Sequence, residues 1–273
     1  MKRRLFIGLA AILSLAACAT AGGQAGLIPL WKNFEDHPKG YFIAGSAPKA
    51  EDFLAQPPAA DSPRGQSDMA VYRATRALKD TPRWKIAQGD ADLETPNAPK
   101  LFDCALGVSL DIERQPVLMR LLARASDDSD TVGRGPKNKY LRKRPFLVED
   151  GPTCIEKEDW LIKQGSYPSG HSANGWTWGL ILSEMAPSRA DAVLLRGQQI
   201  GESRVICGVH YPSDIDAGRL VGASAVAALH SNAGFMADYP AAKRELQAAM
   251  ANGPRPPPAQ CQAEAEVLAV RPY

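Results

Sequence analysis

Between residues 67 and 250 apolar side chains recur at helical spacing while strand-like alternation is scarce, which restricts the chain to a mainly helical fold. Val71, Ala74 and Leu78 share one helical face, and Leu118, Leu121, Leu122 and Ala125 share another. Two later segments carry capping-box signals: Ser188-Arg189-Ala190-Asp191 after Pro187, and Ser213-Asp214-Ile215-Asp216 after Pro212, the second placing a helix start at Asp214. A last helix is predicted from Pro240 to Met250, and Pro254, Pro256, Pro257 and Pro258 cannot continue it. With 273 residues, 45% of them apolar, the chain has material for one substantial core. The expectation is an all-α, single-domain helical bundle over residues 64–251, an extended linker or wrap over 22–63, and a flexible Pro-rich tail over 252–273.

The N-terminus has the layout of an export signal over residues 1–21: Lys2, Arg3 and Arg4, then an apolar stretch from Leu5 to Ala17. Leu15-Ala16-Ala17-Cys18 resembles the bacterial lipobox, in which the cysteine becomes the lipidated first residue; cleavage after Ala19 or Ala21 is the alternative, and lipidation at Cys18 is favoured. Beyond residue 22 the longest apolar run is the 11-residue stretch Leu220 to His230, short of the roughly 20 residues a span needs, so membrane contact is expected only through the lipid. The expected location is the periplasm, tethered to the outer membrane as a lipoprotein. Cys104, Cys154, Cys207 and Cys261 remain, an even number in an oxidising compartment, with three pairings open. A net charge of +2 provides no global field for nucleic acid, so anion affinity must come from local clusters; the sequence leaves a homo-oligomer open.

Three elements carry chemistry. Arg134, Lys137, Lys139, Arg142, Lys143 and Arg144 are six cations in eleven residues without an intervening acid, a pattern that is usually a solvated face. Lys137 and Arg144, seven apart, would project from nearly one face of a helix, and Pro145 forces the chain out of helix directly afterwards. The second element is Gly165-Ser166-Tyr167-Pro168-Ser169-Gly170-His171, a turn opening a helix, with a hydroxyl, a glycine and free N–H groups suited to phosphate oxygens; a plain capped turn would look alike. In the third, Asp214 follows His210 by four residues and can orient its ring, and Arg204 stands nearby in a segment broken by Gly208 and Pro212. His37 and His230 stand alone, and no zinc, magnesium or calcium motif is present. Trp176, Trp178 and Met185 are read as core, and Tyr167 as a residue at the mouth of the site.

Together these elements resemble the pattern of the type 2 phosphatidic acid phosphatase and vanadium haloperoxidase superfamily: K-x6-R-P in Lys137, Arg144 and Pro145, P-S-G-H in Pro168 to His171, and S-R-x5-H-x3-D in Ser203, Arg204, His210 and Asp214. Within it the chain is most similar to the bacterial class A non-specific acid phosphatases, through Leu78-Lys79-Asp80-Thr81-Pro82-Arg83 and Gly201 to Gly208 as well. The resemblance covers residues 46 to 250; the lipobox, the Pro-rich tail and Cys261 depart from it. It implies hydrolysis of small phosphate monoesters, with no cofactor, by His210 as nucleophile, Asp214 as its orienter and His171 as acid. Lys137, Arg144, Arg204, Ser169 and the Gly170 N–H would bind the phosphoryl oxygens. The competing readings are a vanadate-dependent haloperoxidase on the same oxygen-binding residues, a membrane-lipid phosphatase, and a non-enzymatic envelope lipoprotein. The last has no need of a nucleophile, an acid and an orienter together.

Overall fold

A proline just inside the first turn opens many of these helices, where its missing N–H costs nothing. In chain order they are α1 (Pro63–Thr75), α2 (Pro82–Gly89), α3 (Asp103–Leu106), α4 (Pro116–Tyr140), α5 (Pro145–Val148), α6 (Asp159–Lys163), α7 (Gly170–Met185), α8 (Ala190–Ile206), α9 (Pro212–Leu229), α10 (Ala233–Asn252) and α11 (Pro258–Leu268). The computed structural model describes residues 37–93, 97–270 and 273, so the export signal and Cys18 lie outside the described residues. Among the described residues there is no strand, and no single helix is long and apolar enough to cross a membrane.

The bundle is built around α7, which packs against α8, α9 and α4, while α10 covers α4. Trp178, Ile181, Leu182 and Met185 of α7 meet the predicted face of α4, Leu118, Leu121, Leu122 and Ala125, in one core with Phe235 and Leu246. The Trp178 indole donates to Leu122 O at 2.8 Å, which satisfies its one polar atom inside the core. Trp176 is half-buried. Close approach of α7 and α8 depends on missing side chains: a Cβ on Gly197 would lie 2.6 Å from Gly175 O, and one on Gly175 would lie 2.8 Å from Ile200. The helices bearing the phosphate turn and Arg204 are thereby held at backbone contact.

Several local expectations change in the three-dimensional structure. The buried face of α1 is Gly65, Asp68, Tyr72 and Thr75, whereas Ala74 is exposed and Val71 and Leu78 are half-buried. Hydrogen bonding inverted the apolar reading here: Asp68 is tied to Ser213 of α9, and the Tyr72 hydroxyl donates to Glu149 O at 2.9 Å. Lys137 and Arg144 do not share a helix. α4 ends at Leu141, a left-handed residue (φ 43°), and Pro145 holds Arg144 extended (φ −67°, ψ 153°) at the entry to α5. α9 starts at Pro212 rather than Asp214, because Asp214 serves as the acid at the third helical position, accepting the Tyr211 N–H at 3.0 Å. α8 starts at Ala190 after a 3-10 turn, Pro187–Arg189, without a side-chain cap. α10 begins seven residues before Pro240, where the Asn232 side chain accepts the Gly234 and Phe235 amides at 2.9 and 3.1 Å.

Both ends of the described chain are anchored. The Gly40, Tyr41 and Phe42 amides donate to the Asp127 and Asp128 carboxylates of α4, each at 2.8 Å, so the segment before α1 is laid along the bundle. The tail read as flexible carries α11, because Pro258 starts a helix as readily as the prolines before it stop one. Cys261 of α11 is bonded to Cys104 of α3 across 157 residues, and Cys154 to Cys207 across 53, which settles the pairing. Tying such distant points removes much loop-closure entropy from the unfolded chain, on the order of a few kcal/mol for each bond.

Candidate active site

The turn before α7 is shaped by its cap. Ser169 has extended backbone geometry, its hydroxyl oxygen accepts the Ser172 amide at 3.3 Å, and its own amide donates to Asp214 O at 3.0 Å. The first turn of α7 therefore faces the start of α9, an approach possible because Gly218 lacks a Cβ that would sit 2.5 Å from Ser169 O. Gly170 and His171 then line a cavity of about 390 Å³. The Ser169 side chain lies buried behind that wall, its oxygen occupied as a cap and its hydrogen still available as a donor.

Lys137, Arg144 and Arg204 reach the same cavity from the end of α4, the entry to α5 and the end of α8. Lys137 Nζ donates to Pro168 O at 2.9 Å and Gly165 O at 3.3 Å, which leaves one of its three N–H bonds for the cavity. The Arg144 Nε donates to Leu161 O at 2.7 Å and its Nη1 to Val209 O at 2.9 Å, so its fork is fixed by backbone. Arg204 is 1% exposed, and its Nε and Nη1 have no hydrogen-bond partner among the described residues. Buried guanidinium donors without acceptors are costly, and an anion in the cavity supplies the acceptors. Burial, reinforced by the neighbouring Arg144 charge, pushes Lys137 down to about 8 and Arg204 to about 9; burial alone pushes Arg144 to about 10. Three cations crowded in one buried wall give the cavity a positive lining of the kind that suits an anion.

His210, 3% exposed, stands at the floor. Its Nδ1 donates to Asp214 Oδ2 at 3.2 Å, which leaves Nε2 as a lone-pair nitrogen that accepts Arg144 Nη1–H at 2.9 Å. Opposite it, His171 Nε2 donates to Ala91 O at 2.9 Å, so Nδ1 is the nitrogen left to exchange a proton. Burial, then the nearby arginines, hold both rings well below the usual histidine range. Each ring is thus biased toward its neutral form in a fixed tautomer, with a lone pair on His171 Nδ1 and on His210 Nε2, the latter accepting from Arg144.

The sequence-predicted residues Lys137, Arg144, Gly170, His171, Arg204 and His210 line one cavity, with Asp214 and Ser169 directly behind it. Tyr167 does not line its mouth; it is buried against Val132 and Ala173, and its hydroxyl donates to Ala55 O at 2.7 Å. The mouth holds exposed Trp160, whose indole is bonded to Glu158. His230 lies outside the cavity, 3.0 Å from Glu184. Sequence reading missed the supports of the histidines. Ala91 follows Asp90, which is buried on Arg196 and accepts Ser203 Oγ–H at 2.5 Å, so the carbonyl that fixes His171 is clamped to α8. Arg142 donates to Asp214 Oδ1 at 2.6 Å and to Asp68 Oδ2 at 2.8 Å. Of these supports, Arg142 had a local signal in the cation run and Ser203 in the S-R-x5-H-x3-D pattern.

An all-α bundle with three converging cations and a buried His–Asp pair is the acid phosphatase and vanadium haloperoxidase type of fold. Residues 129–235 match the PAP2 superfamily. An acid phosphatase of Zymomonas mobilis subsp. mobilis is 42% identical over 214 residues, 78% of this chain and 81% of that one. A non-specific acid phosphatase of Providencia stuartii is 40% identical over 224 residues, 80% of this chain and 90% of that one. The chain belongs to the PAP2 superfamily. Among solved structures, a bacterial vanadium-dependent iodoperoxidase shares the fold with a TM-score of 0.51 at 15% identity, covering 67% of this chain and 53% of that one.

Proposed function

We propose that the chain is an acid phosphatase of the class A kind that hydrolyses phosphate monoesters, without a metal ion, through a phosphohistidine on His210. The observation that carries this reading is the pair of buried donors on Arg204 that have no partner among the described residues, in the lining of a cavity that also holds the lone pair of His210 Nε2, which accepts from Arg144. A phosphoryl group bound there has its equatorial oxygens on Arg204, Arg144, Lys137 and the Gly170 amide. His210 Nε2 attacks phosphorus as the ester P–O bond breaks, and the alkoxide takes a proton from Nδ1 of His171, which enters this step as the imidazolium once the bound phosphate dianion has offset the surrounding cations, and leaves it neutral. Water, giving its proton back to His171, then attacks phosphorus and breaks the P–N bond. A cation wall supplies the charge compensation that metal ions supply in other phosphoryl-transfer enzymes.

Prolonged treatment with a chelator is expected to leave hydrolysis of a chromogenic phosphomonoester unchanged, and vanadate, which adopts the trigonal bipyramidal shape of the transition state, is expected to inhibit competitively. Loss of turnover in chelator that a divalent ion restores overturns the metal-free mechanism. Oxidation of halide with vanadate and peroxide, in the absence of phosphatase turnover, replaces it by the haloperoxidase reading.

Leu15-Ala16-Ala17-Cys18 supports a second proposal, that the enzyme is exported and held at the outer membrane by a lipid on Cys18. Cys18→Ser is expected to release it from the membrane fraction of a bacterial host, with an acylated N-terminal cysteine in the wild type by mass spectrometry. An unmodified N-terminus at Thr20 or Gly22 refutes it.

A further inference from the structure

Arg142 belongs by sequence to the cation run, yet its guanidinium points away from the phosphate cavity, into the contact between α1 and the start of α9. Nη1 donates to Asp214 Oδ1 at 2.6 Å and to Ser213 Oγ at 2.7 Å, Nη2 to Asp68 Oδ2 at 2.8 Å, and the plane lies 4.0 Å from the Tyr211 ring centroid. Asp68 also accepts the Ser213 amide at 3.1 Å and is bonded to its hydroxyl. The two oxygens of Asp214 are therefore divided: Oδ1 is taken by Arg142, and Oδ2 faces His210 Nδ1 and the Tyr211 amide. Rotation of the carboxylate would break bonds on both sides at once.

We propose that Arg142, fixed by Asp68, is a positioning residue that holds the Asp214 carboxylate aimed at His210. The inference rests on the phosphatase reading of the site. Asp68 and Asp214 share one guanidinium, so with neutral His210 the chain of contacts carries one surplus negative charge. Attack by Nε2 leaves a phosphorylated imidazolium that keeps its Nδ1–H, and the surplus charge then faces the new positive one. Burial already raises the Asp214 pKa, and without Arg142 this is offset only by the Tyr211 amide, the His210 ring and the more distant cations Lys137 and Arg144, while the Asp68 carboxylate adds to it. Protonation of Asp214 removes the acceptor that orients the nucleophile.

Arg142→Ala is expected to lower kcat roughly 100-fold with KM nearly unchanged, since the side chain does not touch the phosphate cavity. Because Asp214 then protonates at higher pH, the acid limb of the rate profile should move up by about one pH unit or more. Added guanidinium should recover part of kcat. Asp68→Asn keeps the charge beside Asp214 but loosens it, so kcat should fall about tenfold with the acid limb in place. Should Arg142→Ala not fold, Arg142→Lys carries the test, since it keeps a cation yet cannot span both carboxylates; wild-type kcat in that variant overturns the inference. So does Arg142→Ala with raised KM and an unmoved acid limb, which would make Arg142 a phosphate ligand. Trapping of wild-type phosphohistidine tells this failure from failure of the phosphatase reading, in which no such adduct forms.

Discussion

Replacing His210 by Ala is expected to reduce phosphomonoester turnover by on the order of 10⁵-fold or more, for every leaving group alike. The loss is this large because the other imidazole at the cavity, His171, cannot stand in for His210 in the proposed mechanism. His171 uses its Nε2–H on Ala91 O, and its remaining nitrogen serves the proton transfer. The variant is expected to bind phosphate and vanadate nearly as well as the wild type. Arg144 keeps its contacts to Leu161 O and Val209 O, Lys137 keeps Pro168 O and Gly165 O, and Asp214 keeps Arg142 and the Tyr211 amide. Quenching the reaction of a labelled aryl phosphate should trap phosphohistidine in the wild type and none in His210→Ala, while calorimetry still detects vanadate binding. Retained label in His210→Ala would assign the nucleophile elsewhere.

The same geometry explains why a buried histidine suits work in acid. A ring near the ordinary histidine pKa would be half protonated at mildly acidic pH and unable to attack. Burial, with Arg144, Lys137 and Arg204 around it, holds His210 well below that range, so its Nε2 lone pair persists as the pH falls. On the acid side, activity that needs this lone pair is lost as pH drops through that lowered value. The cations proposed to bind the phosphoryl group are thus the same ones that, with burial, disfavour the charged form of His210.

What the sequence discloses about this site is the part written in short spacings. The turn Pro168 to His171 can be read because cap, glycine and helix start are consecutive, and His210 and Asp214 because four residues separate them. Lys137 and Arg144 end up in the lining of one cavity although the helix supposed to align them stops at Leu141, so the two side chains their spacing paired do converge, for a different geometric reason. The supports were hidden by distance along the chain: Asp68 stands 145 residues from Ser213, and Ala91 stands 80 from His171. α1 shows the same limit, since its apolar periodicity pointed to Val71 and Ala74 while burial went to Asp68 and Tyr72, whose polar ends find distant partners. In the tail, proline correctly marks the end of α10 but also opens α11, and the bond that holds α11 to the bundle was one of three pairings the spacing left open.

His171→Ala should divide substrates by their leaving groups. A nitrophenolate departs as a stable anion and needs little protonation, so the first step should slow only modestly; an alkyl phosphate must expel an alkoxide, and its turnover should fall by roughly 10³-fold. The proton it lacks is the one on His171 Nδ1, since Nε2 is held by Ala91 O. In the free enzyme burial and Arg204 hold His171 well below the usual range, so the ring is mostly neutral there. A bound phosphate dianion offsets the cations Arg204 and Arg144 and raises that pKa again. Activity requiring protonated His171 is lost as pH rises through its value in the complex, so the alkaline limb of kcat should lie above that of kcat/KM. In His171→Ala the alkaline limb of kcat with an aryl phosphate should disappear, and phosphohistidine should accumulate because no base remains to activate the hydrolytic water. Equal losses for aryl and alkyl substrates, with no trapped adduct, would instead give His171 the nucleophile's part.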